Sequence, residues 1–183
     1  MDLTEKSKKL AYILRHHPES ANLKLGKDGY VKVKDLVANT DITIEELKEI
    51  VENDKKGRYK FNDDETLIRA NQGHSIRVNI SFKEQPPPIP LFHGTSEHLF
   101  KLIKQSGKIK KMNRNYVHLS KDIETATNVG ARHKSNKYEK VIIITIDTKK
   151  MYADGIKFFV SDNGVWLTDD IDSQYFSDIL EIK

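Results

Sequence analysis

Cysteine is absent from the 183-residue chain. That excludes disulfides, thiolate zinc sites and cysteine nucleophiles together. No apolar run approaches the ~18 residues of a membrane-spanning helix. Val141-Ile142-Ile143-Ile144, the most uniformly apolar run, has the length of a strand. Glycine-rich phosphate motifs are missing too. There is no Gly-x-x-x-x-Gly-Lys loop and no Gly-x-Gly-x-x-Gly turn, which argues against a P-loop nucleotidase and a Rossmann dinucleotide site. None of the seven histidines has His-Glu-x-x-His spacing, and no Gly-x-Ser-x-Gly elbow offers a serine nucleophile. No metal site is expected. The opening residues, Met1-Asp2-Leu3-Thr4-Glu5, lack the charged-then-apolar pattern of a secretion signal. The expectation is a soluble cytoplasmic protein with no membrane partner.

What is present is charge, unevenly placed. Hydrophobic residues make up 37% of the chain, lean but enough for a core, and charged residues 32%. Residues 101–140 hold eleven Lys or Arg against three acids, whereas 141–183 hold four Lys against eight acids. A basic stripe ahead of an acidic section suits a polyanionic partner, or else a lysine-rich solvated surface. Arginine is scarce: six of the 31 basic residues, at positions 15, 58, 69, 77, 114 and 132. A chain that takes its solubility from lysine can reserve arginine for forked recognition of phosphate or carboxylate.

Four of the five prolines fall in Gln85-Pro86-Pro87-Pro88-Ile89-Pro90. Such a segment favours an extended conformation and cannot continue a helix or a central strand. It predicts two lobes, 1–85 and 86–183. In the first, Leu3, Leu10, Ile13 and Leu14 predict a helix over about 3–17 that Pro18 stops. Tyr30, Val31 and Val33 suit a short strand, and 34–38 a small helix. Thr43 and Glu46 form a capping box for a helix over about 44–53. Residues 58–61 and 66–70 read as a hairpin. In the second lobe, 91–93, 116–119, 141–146 and 179–182 are strand-like, 97–105 and 122–130 helical. Asp162-Asn163-Gly164 turns a hairpin between 158–160 and 165–167. The fold class is α+β. Helices followed by a hairpin outline a winged helix, a fold that often binds nucleic acid.

Five polar segments stand out. They are Leu14-Arg15-His16-His17-Pro18, Lys56-Gly57-Arg58, Ile68-Arg69-Ala70-Asn71-Gln72-Gly73-His74-Ser75, Phe92-His93-Gly94-Thr95 and Arg114-Asn115-Tyr116-Val117-His118-Leu119-Ser120. Each has a plain alternative: Arg15 and His16 can cap a helix, and Arg69 can be a surface strand residue. The run from Ala70 to Ser75 is harder to assign to packing, because small and polar residues build no core.

In this order these segments resemble the RNA 2′-phosphotransferase family, the KptA relatives of the eukaryotic tRNA-splicing enzyme. The likeness extends through Thr125-Ala-x-x-Val-Gly-x-Arg132 and Asn163-Gly164-Val165-Trp166-Leu167 and covers nearly the whole chain. It implies an N-terminal winged-helix lobe that binds RNA (1–85) and a C-terminal lobe with the ADP-ribosyltransferase fold that binds NAD (86–183). It also implies a reaction that consumes NAD⁺ and needs no metal. An internal RNA 2′-phosphate attacks the nicotinamide ribose and nicotinamide leaves. The neighbouring 2″-hydroxyl then attacks that phosphate, freeing the RNA 2′-hydroxyl and ADP-ribose 1″,2″-cyclic phosphate. The family's essential set falls on Arg15, His16, Arg58 and Arg114. Lys56, Arg69, Asn71, Gln72 and His74 are implied to contact the RNA and its phosphate. His93, Gly94, Thr95, His118, Leu119, Ser120 and Val165 are implied to bind NAD. Many protein-modifying members of the ADP-ribosyltransferase fold carry a carboxylate at the position of Val165. A phosphate dianion needs no general base, and a carboxylate beside it would repel it by several kcal/mol at low dielectric.

Two other readings share these residues. One is a transferase that caps terminal phosphates of RNA or DNA with ADP-ribose. The other is a winged-helix nucleic-acid binder without catalysis, against which the intact Arg15, His16, Arg58 and Arg114 argue. A monomer is expected.

Overall fold

Asp2 opens helix α1 (Leu3–Arg15) with a reciprocal capping box: its carboxylate accepts the Glu5 amide at 2.8 Å, and Glu5 accepts the Asp2 amide at 3.3 Å. The helix stops at Arg15, two residues before its expected end at 17. The residue before a proline is pushed out of helical geometry, and here the departure spreads back over His17 and His16 before Pro18 starts a single 3₁₀ turn. This early stop matters because Arg15 and His16 are among the residues singled out above.

The computed structural model describes residues 2–183. Its contacts divide them into two units: those up to Ser81 together with Asn113–Asn115, and Phe82–Met112 with Tyr116–Lys183. In the first unit α1 is followed by β1 (Val31–Lys32), α2 (Val33–Ala38), α3 (Ile44–Glu52), β2 (Tyr59–Phe61) and β3 (Leu67–Ala70). The strands form an antiparallel sheet in the order β1-β3-β2, with Val31 opposite Ile68 and Tyr59 opposite Ala70. Val33 opens α2 instead of extending the strand, yet its amide still donates to Thr66 O at 2.9 Å, so strand pairing passes directly into the helix. Leu10, Ile13, Leu14, Leu36, Leu47 and Ile68 form the core. Lys6 ties α1 to the start of α3, donating to Asp41 O at 2.7 Å and to both Glu46 oxygens at 2.6 and 2.7 Å.

The second unit contains β4 (Lys83–Glu84), β5 (Leu91–Ser96), α4 (Glu97–Ser106), β6 (Lys108–Ile109), β7 (Val117–Leu119), α5 (Ile123–Ala131), β8 (Val141–Ile146), α6 (Thr148–Ala153), β9 (Phe159–Val160), β10 (Trp166–Thr168), β11 (Ile171–Asp172) and β12 (Phe176–Ile182). Its three antiparallel sheets have the orders β12-β8-β5, β4-β9-β10-β7 and β11-β6. β8 is central and buried on both faces. Ile142, Ile144 and Ile146 join one core cluster; Val141 and Ile143 join another with Ala126. That is why its sequence is a continuous apolar run without alternation. The proline segment lies within this unit. Gln85 N donates to Phe158 O at 3.1 Å, and the Thr148 hydroxyl to Pro88 O at 2.6 Å. The division therefore falls after Ser81, before the prolines, because Lys83 and Glu84 already pair with β9. No helix among the described residues is long and apolar enough to cross a membrane.

Two glycines let α5 lie directly on β5. A Cβ on Gly94 would stand 1.8 Å from Ala126 O; one on Gly130 would stand 2.5 Å from Val141 Cγ1 and 2.8 Å from Thr95 O. Gly94→Ala should therefore destabilise the protein by about 3 kcal/mol, the upper end for overpacking, because the clashing atom is backbone. Denaturant unfolding measures this, and a loss under about 0.5 kcal/mol would contradict the packing described.

Candidate functional site

The first unit assembles a cluster of cations around the end of α1. One part is the turn from Asp54 to Arg58. Gly57 adopts φ 53°, a left-handed conformation suited to glycine, and donates to Asp54 O at 2.8 Å. This brings the Asp54 carboxylate under Arg58. It accepts the Arg58 backbone amide and, at 2.9 Å, the Arg58 Nε. Asp54 is only 3% exposed and Arg58 32%, so the pair is more than a surface ion pair. Arg58 Nη2 also donates to Ser7 Oγ at 3.2 Å, and the Tyr59 hydroxyl donates to Ser7 O at 2.6 Å. Asn71 clamps the turn from inside: its amide donates to Arg58 O at 2.9 Å and its Nδ2 to Gly57 O at 2.6 Å.

The other part is the frayed end of α1. Ser75 N donates to Arg15 O at 3.0 Å, and Ser75 Oγ shares a 2.8 Å hydrogen bond with His16 Nδ1. Gly73, at φ 88°, passes so close to Arg15 that a Cβ there would touch its Cδ, Nε and Cζ at 3.7 Å. Arg15 Nε and Nη2 are buried and make no hydrogen bond. Burial lowers the Arg15 pKa, and the neighbouring Arg114 and Arg58 lower it further, with Tyr59 and Asp54 opposing. The His16 pKa is likewise lowered, first by burial and then by Arg15, Arg114 and His17. Arg114 is exposed and lies in the Asn113–Asn115 stretch that packs with this unit, where Asn115 Nδ2 donates to Ile76 O at 3.3 Å.

Arg15, His16, Arg58 and Arg114 thus converge within one unit. Buried donors without partners cost about 1–3 kcal/mol each, and like charges side by side add to that. Both costs vanish when an anion with several oxygens accepts the free guanidinium donors, as a tetrahedral phosphate does in forked geometry. Lys56 sits exposed on the same turn as Arg58. Arg69 lies 4.9 Å over the Tyr30 ring and donates to Asp28 O at 3.4 Å. Gln72 is half-buried.

His74 is 2% exposed, and its pKa falls to about 4, through burial first and then Arg15, His16 and Arg69. In the folded protein it stays neutral down to that pH, whereas an unfolded histidine takes its proton near 6.5. Between these values the unfolded chain binds more protons, so stability falls as pH falls. The gap corresponds to at most about 3 kcal/mol. His74→Asn should lose less stability than the parent between about pH 7 and pH 4.5 in chemical denaturation. Equal losses would contradict the assignment.

In the second unit, His93 Nδ1 meets His118 O at 3.3 Å, and Phe92 and Ser120 exchange backbone hydrogen bonds of 2.9 and 2.8 Å, which joins β5 to β7. β10 continues the array, with Leu167 opposite His118 and Trp166 opposite Leu119. Val165 lies one residue before that register, held by a 3.1 Å bond from its amide to Ser161 Oγ. His93, His118, Ser120 and Val165 are therefore neighbours along three joined strands. Leu119 and Thr95 are buried, at 2% and 3% exposure, and Gly94 serves the contact with α5. The stretches 91–96, 117–120 and 165–168 carry no Asp, Glu, Lys or Arg. Such neutral donors and acceptors fit an uncharged base or amide. Among the described residues, no three His, Asp or Glu side chains group so as to hold a metal ion.

Sequence reasoning missed Ser7 and Asp54 as parts of the site, and it gave no role to Gly73 and Ser75 although both lie in a segment it singled out. Ser75 closed one of the motifs, and its hydroxyl two residues past Gly73 was a visible signal. Ser7 and Asp54 carried none, because each acts only once the chain folds back on it.

Comparison with known proteins gives a consistent result. The profile of the RNA 2′-phosphotransferase, Tpt1 / KptA family matches residues 2–170. A relative from Fusobacterium nucleatum is 49% identical over 171 residues, spanning 91% of this chain and 93% of its own. One from Rhizobium johnstonii is 43% identical over 178 residues, spanning 95% and 93%. One from Flavobacterium johnsoniae is 42% identical over 174 residues, spanning 92% of each. All three bear the name "Probable RNA 2′-phosphotransferase".

Proposed function

The chain belongs to the RNA 2′-phosphotransferase, Tpt1 / KptA family of transferase enzymes, and from that premise we propose that it removes an internal 2′-phosphate from RNA at the expense of NAD⁺. The products are nicotinamide, RNA with a free 2′-hydroxyl, and ADP-ribose 1″,2″-cyclic phosphate. The observation that carries this reading is the pair of buried, unpartnered Arg15 donors inside the cluster of Arg58, Arg114 and His16.

On this reading the first unit is a winged helix that holds the phosphate. Its three helices and three-stranded antiparallel sheet support that assignment. Arg15, Arg58 and Arg114 fork onto the phosphate oxygens. Asp54 and Ser7 fix the direction of Arg58, so little rotamer freedom is lost when the phosphate arrives. His16 is neutral near pH 7 before binding. A phosphate dianion beside it raises its affinity for a proton, which it then holds ready for the departing RNA 2′-oxygen.

The second unit, read as an ADP-ribosyltransferase-like lobe, takes the dinucleotide. The uncharged surroundings of His93, His118, Ser120 and Val165 support this. NAD⁺ supplies an electrophilic ribose carbon from which nicotinamide departs. Val165 leaves this neutral stretch without a carboxylate.

The test is nicotinamide release. It should require both NAD⁺ and 2′-phosphorylated RNA, and the same strand without the phosphate should give none. Equal release from both strands would refute the reading.

A further inference from the structure

Residues 132–140 form a loop after α5 that carries Arg132, His133, Lys134, Lys137 and Lys140. Tyr138 in this loop is 83% exposed, the most exposed large apolar side chain among the described residues. The loop is held from below. Glu139, 7% exposed, accepts the His98 amide at 2.7 Å, His98 Nδ1 at 2.6 Å, Ser135 Oγ at 2.8 Å and the Ser135 amide at 2.5 Å. Asn136 Oδ1 accepts the Tyr138 and Glu139 amides at 3.0 and 3.1 Å, and Lys134 Nζ donates to Lys137 O at 3.3 Å.

A cation at a helix C-terminus complements its dipole, which accounts for Arg132, the residue that caps α5, without any ligand. Lys140 pairs with Glu181 at 2.6 Å. Neither explanation reaches Lys137 or Tyr138. The Lys137 ammonium lies 5.0 Å from the Tyr138 ring centroid, and both side chains face solvent. The one carboxylate of the loop, Glu139, is turned inward. What the anchored loop presents is an aromatic face flanked by positive charge. That is the chemistry that stacks a nucleobase and neutralises the phosphates on either side of it.

We infer that the loop carrying Lys134, Lys137 and Tyr138 is a docking site for single-stranded RNA, with one base stacked on Tyr138. The choice of RNA as occupant rests on the function proposed above. A membrane surface or a protein would suit a broader apolar patch.

The test uses a 12-nucleotide single-stranded RNA without any 2′-phosphate, so binding is read independently of the transfer reaction. Tyr138→Ala should weaken fluorescence-anisotropy binding about tenfold, and Tyr138→Phe, which keeps the ring, should stay within about twofold. Replacing Lys134 and Lys137 together by Ala should reduce the log–log salt slope by about 1.4. Inorganic polyphosphate, which has charge but no bases, should bind Tyr138→Ala and the parent alike. Parent-like RNA binding by Tyr138→Ala, or equal losses in the Ala and Phe variants, would overturn the inference. So would Tyr138-dependent binding to phosphatidylserine vesicles with RNA binding unchanged. A parent protein that binds this strand but releases no nicotinamide when given NAD⁺ and a 2′-phosphorylated strand refutes the proposed function alone.

Discussion

Arg114→Ala should fold like the parent and turn over about 10³-fold more slowly, the loss expected when one transition-state donor to a phosphoryl group is removed. Its side chain is exposed in the Asn113–Asn115 stretch, so no core contact is lost. Its charge nonetheless reaches Arg15 and His16, both of whose pKa values it lowers. The substitution should therefore also move the His16 titration upward in an NMR pH series, a change that a purely structural role would not produce. Arg114→Lys keeps the charge but loses the planar fork. It should restore the His16 titration while recovering little turnover. Parent-like turnover in Arg114→Ala would remove Arg114 from the site.

The second large effect concerns which half of the reaction the arginines serve. In the first half the RNA phosphate is the nucleophile. Cations that neutralise it also blunt it, so their help there is mostly positional. In the second half the same phosphorus becomes pentacoordinate. Charge gathers on its equatorial oxygens while a poor alkoxide leaves. Forked cations gain most at that moment, because the difference between ground and transition state is larger. Loss of Arg15, Arg58 or Arg114 should slow the second half more than the first, and His16→Ala should share the bias if it protonates the leaving oxygen. Asp54→Asn should show a weaker form of the same effect, because Arg58 Nε keeps a hydrogen-bond acceptor but loses its charge partner. The signature is accumulation of RNA joined through its 2′-phosphate to ADP-ribose, visible in a quenched time course with labelled phosphate. Variants that are merely slow, with no such species in any of them, would contradict the assignment.

Elements whose burial follows a regular pattern were legible in the sequence. The apolar spacing of Leu10, Ile13 and Leu14 marked α1, the Thr43–Glu46 box marked α3, and the run at Val141 marked β8 along its full length. The turn at Gly164 and the hairpin it makes between β9 and β10 were equally readable. Two-residue strands were not. Lys108–Ile109 and Ile171–Asp172 are too short to alternate, and only their pairing with each other makes them strands. Helix α6 buries just Thr148 and Met151, too few positions to set a period. At the site the motif-bearing residues were legible as types, but their supports were not. Asp54 reads as one more solvated acid until Gly57 turns the chain and places Arg58 on it. Gly94 reads as part of a ligand motif until α5 is seen against it.

The most direct test follows the labelled 2′-phosphate of an internally modified oligonucleotide incubated with NAD⁺ and the parent protein. The label should leave the RNA and appear in ADP-ribose 1″,2″-cyclic phosphate, mole for mole with nicotinamide and with RNA bearing a free 2′-hydroxyl. Label that stays on the RNA as a stable ADP-ribosyl adduct, or that never moves although the strand is bound, would contradict the account.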